Sequence, residues 1–456
     1  MRIGLKMLMV AVLTLAILLP LAIIRGTITE RQAYRREAVA DIARSYAGAQ
    51  TFAGPVLVVP YSERVEVEER DAQGFSRKAW RRQAKQWVFF PRTLDVRGHL
   101  QPGTRKRGLH EVRVYELRDA VASADFDAQL PVADPARERS IGAAWISVSF
   151  ADVRGLLGTP HLSIDGVERP IAQGAHDGAG IHALLAEPAE GARLRLRTRL
   201  EFTLGGTESL ALVPLGDRNT MAIDSSWPHP RFDGSFLPRT RRVDAKGFSA
   251  RWEVSALATR AQAQFLAGQR LPASGDLATT ASAGGDAGPE GIDSVGVSLV
   301  EPVNVYSQAD RASKYGVLFV LLTFVGFFMY ELLRQLPIHP IQYGLVGLAL
   351  AIFFLLLVSL SEHIQFGWAY LASSIACIGL LGFYLSAVLR SAARGAGFAA
   401  MLALLYGALY GLLVSEDNAL VLGAGLLFAI LAAIMVVTRK VDWYAVGERR
   451  VGLAQR

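Results

Sequence analysis

Six long runs of apolar residues divide the chain into two kinds of sequence. The first run, Leu5 to Ile24, holds one charged residue, Lys6, and the others are Tyr315 to Leu333, Tyr343 to Ser361, Phe366 to Ala387, Gly397 to Val414 and Ala419 to Val437. About 20 apolar helical residues cross a hydrocarbon core of about 30 Å, and in lipid a helix satisfies its own backbone. The last five runs carry one charge, Glu331, within a turn of an end. The pattern predicts six transmembrane helices, one N-terminal and five C-terminal.

The first apolar run resembles a secretory signal, but its end does not. The sequence Leu21-Ala22-Ile23-Ile24-Arg25 lacks the small-x-small pattern of a signal-peptidase site. We therefore predict an uncleaved signal anchor over residues 1–24. An extracytoplasmic domain over 25–313, a five-helix domain over 314–440 and a cytoplasmic tail over 441–456 complete the predicted organisation.

The charges that flank the apolar runs indicate an orientation, because Lys and Arg in short loops stay on the cytoplasmic side. Basic residues occur at alternate ends of the runs, namely Arg334, Arg390 with Arg394, and Arg439 with Lys440. The connections 362–365 and 415–418 contain none. These ends place both termini in the cytoplasm and residues 25–313 outside. One cluster after the first run opposes this orientation: Arg25, Arg31, Arg35 and Arg36.

Between the apolar runs the hydrophobic period changes. Residues 27–47 repeat apolar positions every three to four residues, which predicts a helix. From Arg193 to Phe202 the chain alternates strictly, which predicts a strand with one apolar face. Shorter runs of this kind are Val56 to Val59, Val65 to Glu69, Trp87 to Phe90, Val112 to Tyr115, Ala144 to Phe150, His161 to Ile164, Phe248 to Val254 and Val295 to Val300. We expect a β-rich domain, long enough for two subdomains, with a mobile loop at 272–291. The fold class is that of an α+β membrane protein.

The distribution of charges and the cysteine count restrict the classes of binding partner and of covalent cross-link. The net charge is +7, but residues 25–313 hold 37 of the 48 Lys and Arg and 35 of the 41 Asp and Glu, so the excess lies beside the apolar runs. A nucleic-acid partner is therefore not expected. The single cysteine, Cys377, lies in an apolar run, so the middle domain has no disulfide.

The sequence offers little for catalysis or metal binding. His176 and His182 are the closest pair of the eight histidines, six residues apart in a Gly-rich stretch. Without HExxH or a cysteine nearby, solvated or hydrogen-bonded histidines are the simpler reading. GxSxG and phosphate-loop patterns are also missing. We expect no metal, no cofactor and no enzymatic activity.

Two places are candidate interaction sites. The stretch 225–239 combines prolines with Trp227, His229, Phe232 and Phe236. Its prolines exclude it from a sheet interior, so the aromatic residues either form a rigid binding surface or plug one end of the β core. At the outer end of a predicted span, Glu362 and His363 form either a hydrated interfacial loop or a proton or ligand site.

Several motifs resemble the inner membrane protein CreD family, also called cell envelope integrity proteins. They are Ser226-Trp227-Pro228-His229-Pro230, Phe236-Leu237-Pro238, Asp310 to Tyr315, His339 to Gly347, Leu360 to His363, Val441 to Tyr444, Gly54-Pro55 and Asp152 to Gly155. The resemblance covers nearly the whole chain. The chain departs from the family pattern in the Gly/Ala-rich insertion near residue 280 and in an Arg-rich tail.

The resemblance implies a location and a regulatory context. The location is the inner membrane of a Gram-negative envelope, and the gene would belong to a two-component regulon that responds to metabolic or β-lactam stress. Family phenotypes concern envelope integrity, colicin tolerance and cell shape, but no biochemical activity is implied. The leading hypothesis is a membrane-anchored periplasmic interaction module whose partners are the bilayer and an envelope component or membrane protein. The alternatives are a transporter or channel for a small envelope-related substrate, an envelope hydrolase, and regulation of a partner sensor.

Overall fold

A computed structural model describes residues 3–70, 76–108, 110–132, 138–176, 178–271, 291–299, 305–334, 339–415 and 419–439. The chain divides into two compact units. A helical unit comprises residues 1–35 and 303–456, and a β unit comprises residues 36–302. Relative to the predicted division at 25–313, residues 25–35 and 303–313 belong with the helices. Residues 272–290 of the predicted mobile loop and the tail 441–456 lie outside the described residues.

Long apolar helices occupy all six predicted spans. They are α1 (Ile3–Ser45), α3 (Val305–Arg334), α4 (Pro340–Ser361), α5 (Phe366–Val388), α6 (Ala392–Val414) and α7 (Ala419–Thr438); the short α2 (Ala261–Leu266) lies in the β unit. Among the described residues, five helices are long and apolar enough to cross a membrane, and α7 adds the shorter apolar stretch Val421–Ala432. The structure is therefore that of an α+β membrane protein with one N-terminal and five C-terminal apolar helices. The helix predicted over 27–47 continues the first span as one helix, α1.

The helical unit has its own aromatic core. Phe319, Phe324 and Phe353 are almost fully buried in it together with Tyr343 and Tyr406. Large apolar side chains also cover the outside; Phe383 is 80% exposed and Leu404 is 77% exposed. Helices that are apolar on all sides belong in lipid rather than in water.

Two sheets make up the β unit. Their strands are β1 (Gln50–Arg70), β2 (Ser76–Phe89), β3 (Thr93–Arg107), β4 (His110–Gln129), β5 (Arg139–Ile141), β6 (Trp145–Phe150), β7 (Leu156–Ile164), β8 (Val167–Arg169), β9 (Ala172–Ala175), β10 (Gly178–Leu184), β11 (Arg193–Thr207), β12 (Ser209–Val213), β13 (Arg218–Ser225), β14 (Pro230–Gly234), β15 (Thr240–Asp244), β16 (Gly247–Ser255) and β17 (Val295–Leu299). The nine-stranded sheet has the order β14-β17-β12-β1-β6-β10-β9, with β2 and β5 also pairing with β1. The eight-stranded sheet has the order β15-β16-β13-β3-β4-β11-β7-β8.

The sheets share one hydrophobic core. It contains Leu57 and Ile146 from the nine-stranded sheet and Leu94, Leu200 and Trp252 from the eight-stranded sheet. Both sheets therefore belong to the same compact unit, residues 36–302. Each strand run named in the sequence overlaps an observed strand. Phe90 and Ala144 lie just outside their strands, and residue 300 lies outside the described residues. The alternating stretch that begins at Arg193 is β11.

Candidate functional site

The segment Ser225–Arg239 leaves the end of β13 through a turn that side chains hold closed. The Ser225 hydroxyl donates to the Leu100 carbonyl at 2.6 Å and accepts from the Trp227 backbone N–H at 3.1 Å. The Trp227 indole N–H then donates to the His229 carbonyl at 2.9 Å. Pro228 and Pro230 fix the backbone on either side of His229, so this turn is rigid.

Trp227 and His229 differ in exposure. Trp227 is partly buried and packs against the core, and the Arg113 guanidinium lies 4.5 Å from its ring centroid. The His229 ring meets Trp227 edge-on, with 6.0 Å between centroids. His229 itself is exposed. The turn therefore presents an imidazole to water above a partly buried indole.

Phe232 lies in an edge strand. β14 pairs with β17 in antiparallel register and ends the nine-stranded sheet, as expected for a strand that begins with a proline. The partly buried Phe232 ring meets Phe248 and Trp252 edge-on, each at 5.8 Å between centroids. The Arg241 guanidinium lies 5.9 Å from its ring centroid.

Beyond β14 the segment stays attached to the core. Gly234 has φ +93°, and a Cβ there would lie 2.3 Å from the Ser294 carbonyl oxygen, so only glycine fits. The buried Trp252 indole N–H donates to the Phe236 carbonyl at 3.1 Å. Leu237, the next residue, is 71% exposed.

The geometry of this segment combines features of both hypotheses, a rigid binding surface and a plug of the β core. Trp227, Phe232 and Phe236 pack inward against the core, while His229 and Leu237 point to water. Sequence reasoning did not single out Leu237. The Trp252 hydrogen bond holds the carbonyl of the preceding residue, Phe236, and no sequence pattern indicates this contact.

The second candidate pair lies in the helical unit. The Glu362 carboxylate is 3.3 Å from the Arg31 guanidinium, and its side chain is only 10% exposed. The exposed His363 ring donates through Nδ1 to the Ser359 carbonyl at 3.2 Å. Glu362 thus joins the loop between α4 and α5 to α1 and is largely withdrawn from water.

A related contact joins α1 to α3. Arg25 lies 3.6 Å from Asp310, which also pairs with Lys314 at 2.7 Å. Two members of the arginine cluster after the first span therefore have carboxylates beside them.

The remaining polar candidates have structural contacts. The His182 ring Nδ1 donates to the Gly174 carbonyl at 2.9 Å, and the His176 ring stacks on Phe265. Within the described ranges, no group of three or more His, Cys, Asp or Glu residues could hold a metal ion. Glu331 is buried in α3 and accepts a 2.8 Å hydrogen bond from the Tyr343 hydroxyl.

Two comparisons with solved structures carry no information about chemistry. A mutant of an M1 zinc metallopeptidase from Deinococcus radiodurans has 11% identity and a TM-score of 0.23, with 46% of this chain and 42% of that chain covered. Yeast LTA4 hydrolase in complex with Bestatin has 9% identity and a TM-score of 0.17, with 52% and 34% covered. The chain spans less than half the length of either protein. Similarities this weak indicate neither a shared fold nor a shared activity.

The sequence comparisons are specific. The family model described as inner membrane protein CreD matches residues 2–444. The chain is 34% identical over 434 residues to "Inner membrane protein CreD" of Escherichia coli (strain K12), covering 94% of this chain and 91% of that protein. With the apolar helices described above, these matches identify a multi-pass inner-membrane protein. The chain belongs to the inner membrane protein CreD family.

Proposed function

We propose that the chain is a non-catalytic, membrane-anchored interaction module that faces the periplasm and supports envelope integrity under stress. The observation that carries the proposal is the segment Ser225–Arg239. It is fixed by hydrogen bonds at both ends while His229 and Leu237 remain exposed. The proposed partner is an envelope component or another membrane protein that binds these side chains.

Rigidity is what makes this segment suited to binding. A partner that binds a mobile loop must offset the entropy of ordering it, whereas a segment already held by prolines and hydrogen bonds loses little. Aromatic residues and arginine are also the residue types that dominate interface energies. Trp227 beside Arg113 supplies both at the rim of the exposed surface.

We propose the orientation with both termini in the cytoplasm and the β unit in the periplasm. Three sets of basic residues at helix ends favour it, and the cluster after the first span opposes it. That opposition is weak because long domains translocate largely regardless of flanking charge.

Photo-crosslinking in living cells tests the interaction. A photoreactive residue at His229 or at Leu237 should capture one defined envelope partner. The control is Leu257, which is 99% exposed in the same unit but lies outside the segment. Positions 232 and 236 are less suitable because their side chains pack on the core. If His229 and Leu237 capture only what Leu257 captures, the segment is structural and the proposal fails.

Cysteine labelling tests the orientation separately. The natural Cys377 is 5% exposed within the helical unit, so it adds little background. Leu257→Cys should react with a membrane-impermeant maleimide in spheroplasts, and Arg394→Cys should react only after the inner membrane is opened. The reverse pattern would overturn the orientation and, with it, the periplasmic partner.

Transport is the alternative function, and Glu331 is the observation that favours it. A carboxyl group buried in a membrane helix costs free energy, and such groups usually mark an ion or substrate pathway. Substrate-dependent flux into vesicles that contain the purified chain, abolished by Glu331→Gln, would establish transport. Capture of a partner at His229 without any flux would exclude it in favour of the interaction module.

A further inference from the structure

A shallow, open depression lies on the water-facing side of the eight-stranded sheet, where β15, β16 and β13 run side by side. Its volume is about 320 Å³, and it is lined by residues 222–224, 240–242 and 249–251. Strand alternation explains which side chains reach it, because Met221, Ile223 and Trp252 face the core and are buried. Arg241, one of the lining residues, turns to the other side of β15, where its guanidinium lies 5.9 Å from the Phe232 ring centroid.

The depression arises from strand register. One row across the strands is Thr240, Arg251, Ala222 and Arg97, and the next row is Arg242, Ser249, Asp224 and His99. Short side chains, Ala222 and Ser249, therefore occupy diagonal positions between long ones. Adjacent strands lie about 4.8 Å apart, so the arginine heads rise around a floor of small residues.

Arg251 and Arg242 are held by ion pairs but keep unused hydrogen-bond donors. Arg251 pairs through Nε with Glu253 at 3.2 Å, and Arg242 pairs with Asp244 at 2.9 Å. In both cases the carboxylate lies two residues along the same strand, away from the depression. Each guanidinium has five N–H donors, so donors remain for a ligand. Exposed pairs of this kind contribute about 0–1 kcal/mol and compete only weakly with it.

Acceptors and hydroxyls lie beside these donors. Asp224 receives a 2.5 Å hydrogen bond from His99 Nδ1, and its side chain is 60% exposed. The hydroxyls of Ser249 and Thr240 occupy the neighbouring register positions. A simple anion would be repelled by Asp224, but a ligand with hydroxyl groups can donate to it.

We propose that this depression binds an acidic saccharide. Its carboxylate or phosphate lies between Arg242 and Arg251, and its hydroxyls donate to Asp224 and to the Ser249 and Thr240 oxygens. The volume is at the small end of the range of about 300–1,000 Å³ for small-molecule sites, which suits one or two sugar rings. A nucleic acid or other dense polyanion is disfavoured by Asp224 and by the carboxylates beside both arginines. The proposal depends neither on the aromatic segment nor on membrane orientation.

Saturation-transfer NMR on the full chain tests it, in a detergent without a sugar headgroup. The probes are glucuronate, glucose 6-phosphate, glucose and inorganic phosphate. We expect both acidic sugars to bind, glucose to bind weakly if at all, and the acidic sugars to lose affinity as salt rises. The variant Arg242→Ala/Arg251→Ala should weaken them about tenfold or more.

Two further variants make the result decisive. Arg199→Ala is the matched control, because Arg199 also pairs with a carboxylate two residues along an exposed strand, Glu201 at 2.8 Å, and should leave binding unchanged. Asp224→Asn should weaken the sugars and strengthen phosphate, a combination that misfolding cannot produce. No binding of either acidic sugar at millimolar concentration, equal loss in Arg199→Ala, or phosphate binding as well as the sugars would each overturn the proposal.

Discussion

Replacing Trp252 by phenylalanine should loosen the exposed segment without unfolding the β unit. Trp252 is 1% exposed, its ring meets Phe232 edge-on, and its indole N–H donates to the Phe236 carbonyl at 3.1 Å. Phenylalanine keeps an aromatic ring but removes the donor and part of the buried volume. The lost hydrogen bond costs about 1 kcal/mol, and the incompletely filled space costs about 1 kcal/mol more.

A loss of about 2 kcal/mol should lower the melting temperature by roughly 4–8 °C for a unit of this size. The local consequence is more specific. Trypsin should cleave faster after Arg239, which follows the freed Phe236 and Leu237, than after Arg270, which lies beyond the segment. Circular dichroism of the purified chain in detergent gives the melting temperature, and timed proteolysis gives the cleavage rates.

Trp80→Phe is the matched control, since Trp80 is 54% exposed and its replacement should change neither quantity. If Trp252→Phe has the melting temperature of the wild type and is cleaved after Arg239 at the same rate, the hydrogen bond to the Phe236 carbonyl does not hold the segment. The rigidity on which the proposed interaction rests would then lose its main support.

Three other perturbations test separate contacts. Glu362→Arg should destabilise the helical unit by about 1–3 kcal/mol by leaving Arg31 beside a like charge, and exchanging the two residues should restore detergent stability; if the exchange behaves like the single variant, the ion pair is unimportant. The hydrogen bond from Arg193 lowers the pKa of Asp127 to about 2. The stability that this pair contributes is therefore present above the ordinary pKa of Asp, near 4, and is lost as the pH falls toward 2. Asp127→Asn should flatten the pH dependence of the melting temperature over that window, and an unchanged slope would refute the assignment. Asn219→Leu removes three hydrogen bonds of 2.6–2.9 Å to buried backbone groups and should cost at least about 3 kcal/mol, which a wild-type melting curve would contradict.

The candidate site shows where sequence reasoning works and where it stops. The prolines at 228 and 230 correctly keep this stretch out of a sheet interior, because a proline cannot donate to the ladder. They do not show that β14 would nevertheless pair with β17, a strand that begins 65 residues further on. The aromatic residues predict burial or binding equally well. Only the positions of Phe248 and Trp252 decide that Phe232 turns inward.

The charged pair at the helix ends illustrates the same limit. Glu362 and Arg31 lie more than 300 residues apart, so no spacing rule connects them, and sequence reasoning left open both a hydrated loop and a proton or ligand site. The structure withdraws the carboxylate from water beside that guanidinium. The acidic-saccharide depression is likewise invisible in sequence, since its rows are assembled by the register of β15, β16, β13 and β3.

By itself, the sequence determined the six apolar helices, the β-rich middle and the family. The helices and the β-rich middle depend on local periodicity and on the length of apolar runs, which follow directly from helix rise, strand pleat and bilayer thickness. The family rests on the resemblance of specific motifs. Tertiary structure alone decided that two sheets share one core, that β3 and β13 lie side by side in parallel, and which side chains face water at the candidate sites. Those outcomes depend on pairings between distant segments, whose register is set by the burial of a whole face at once.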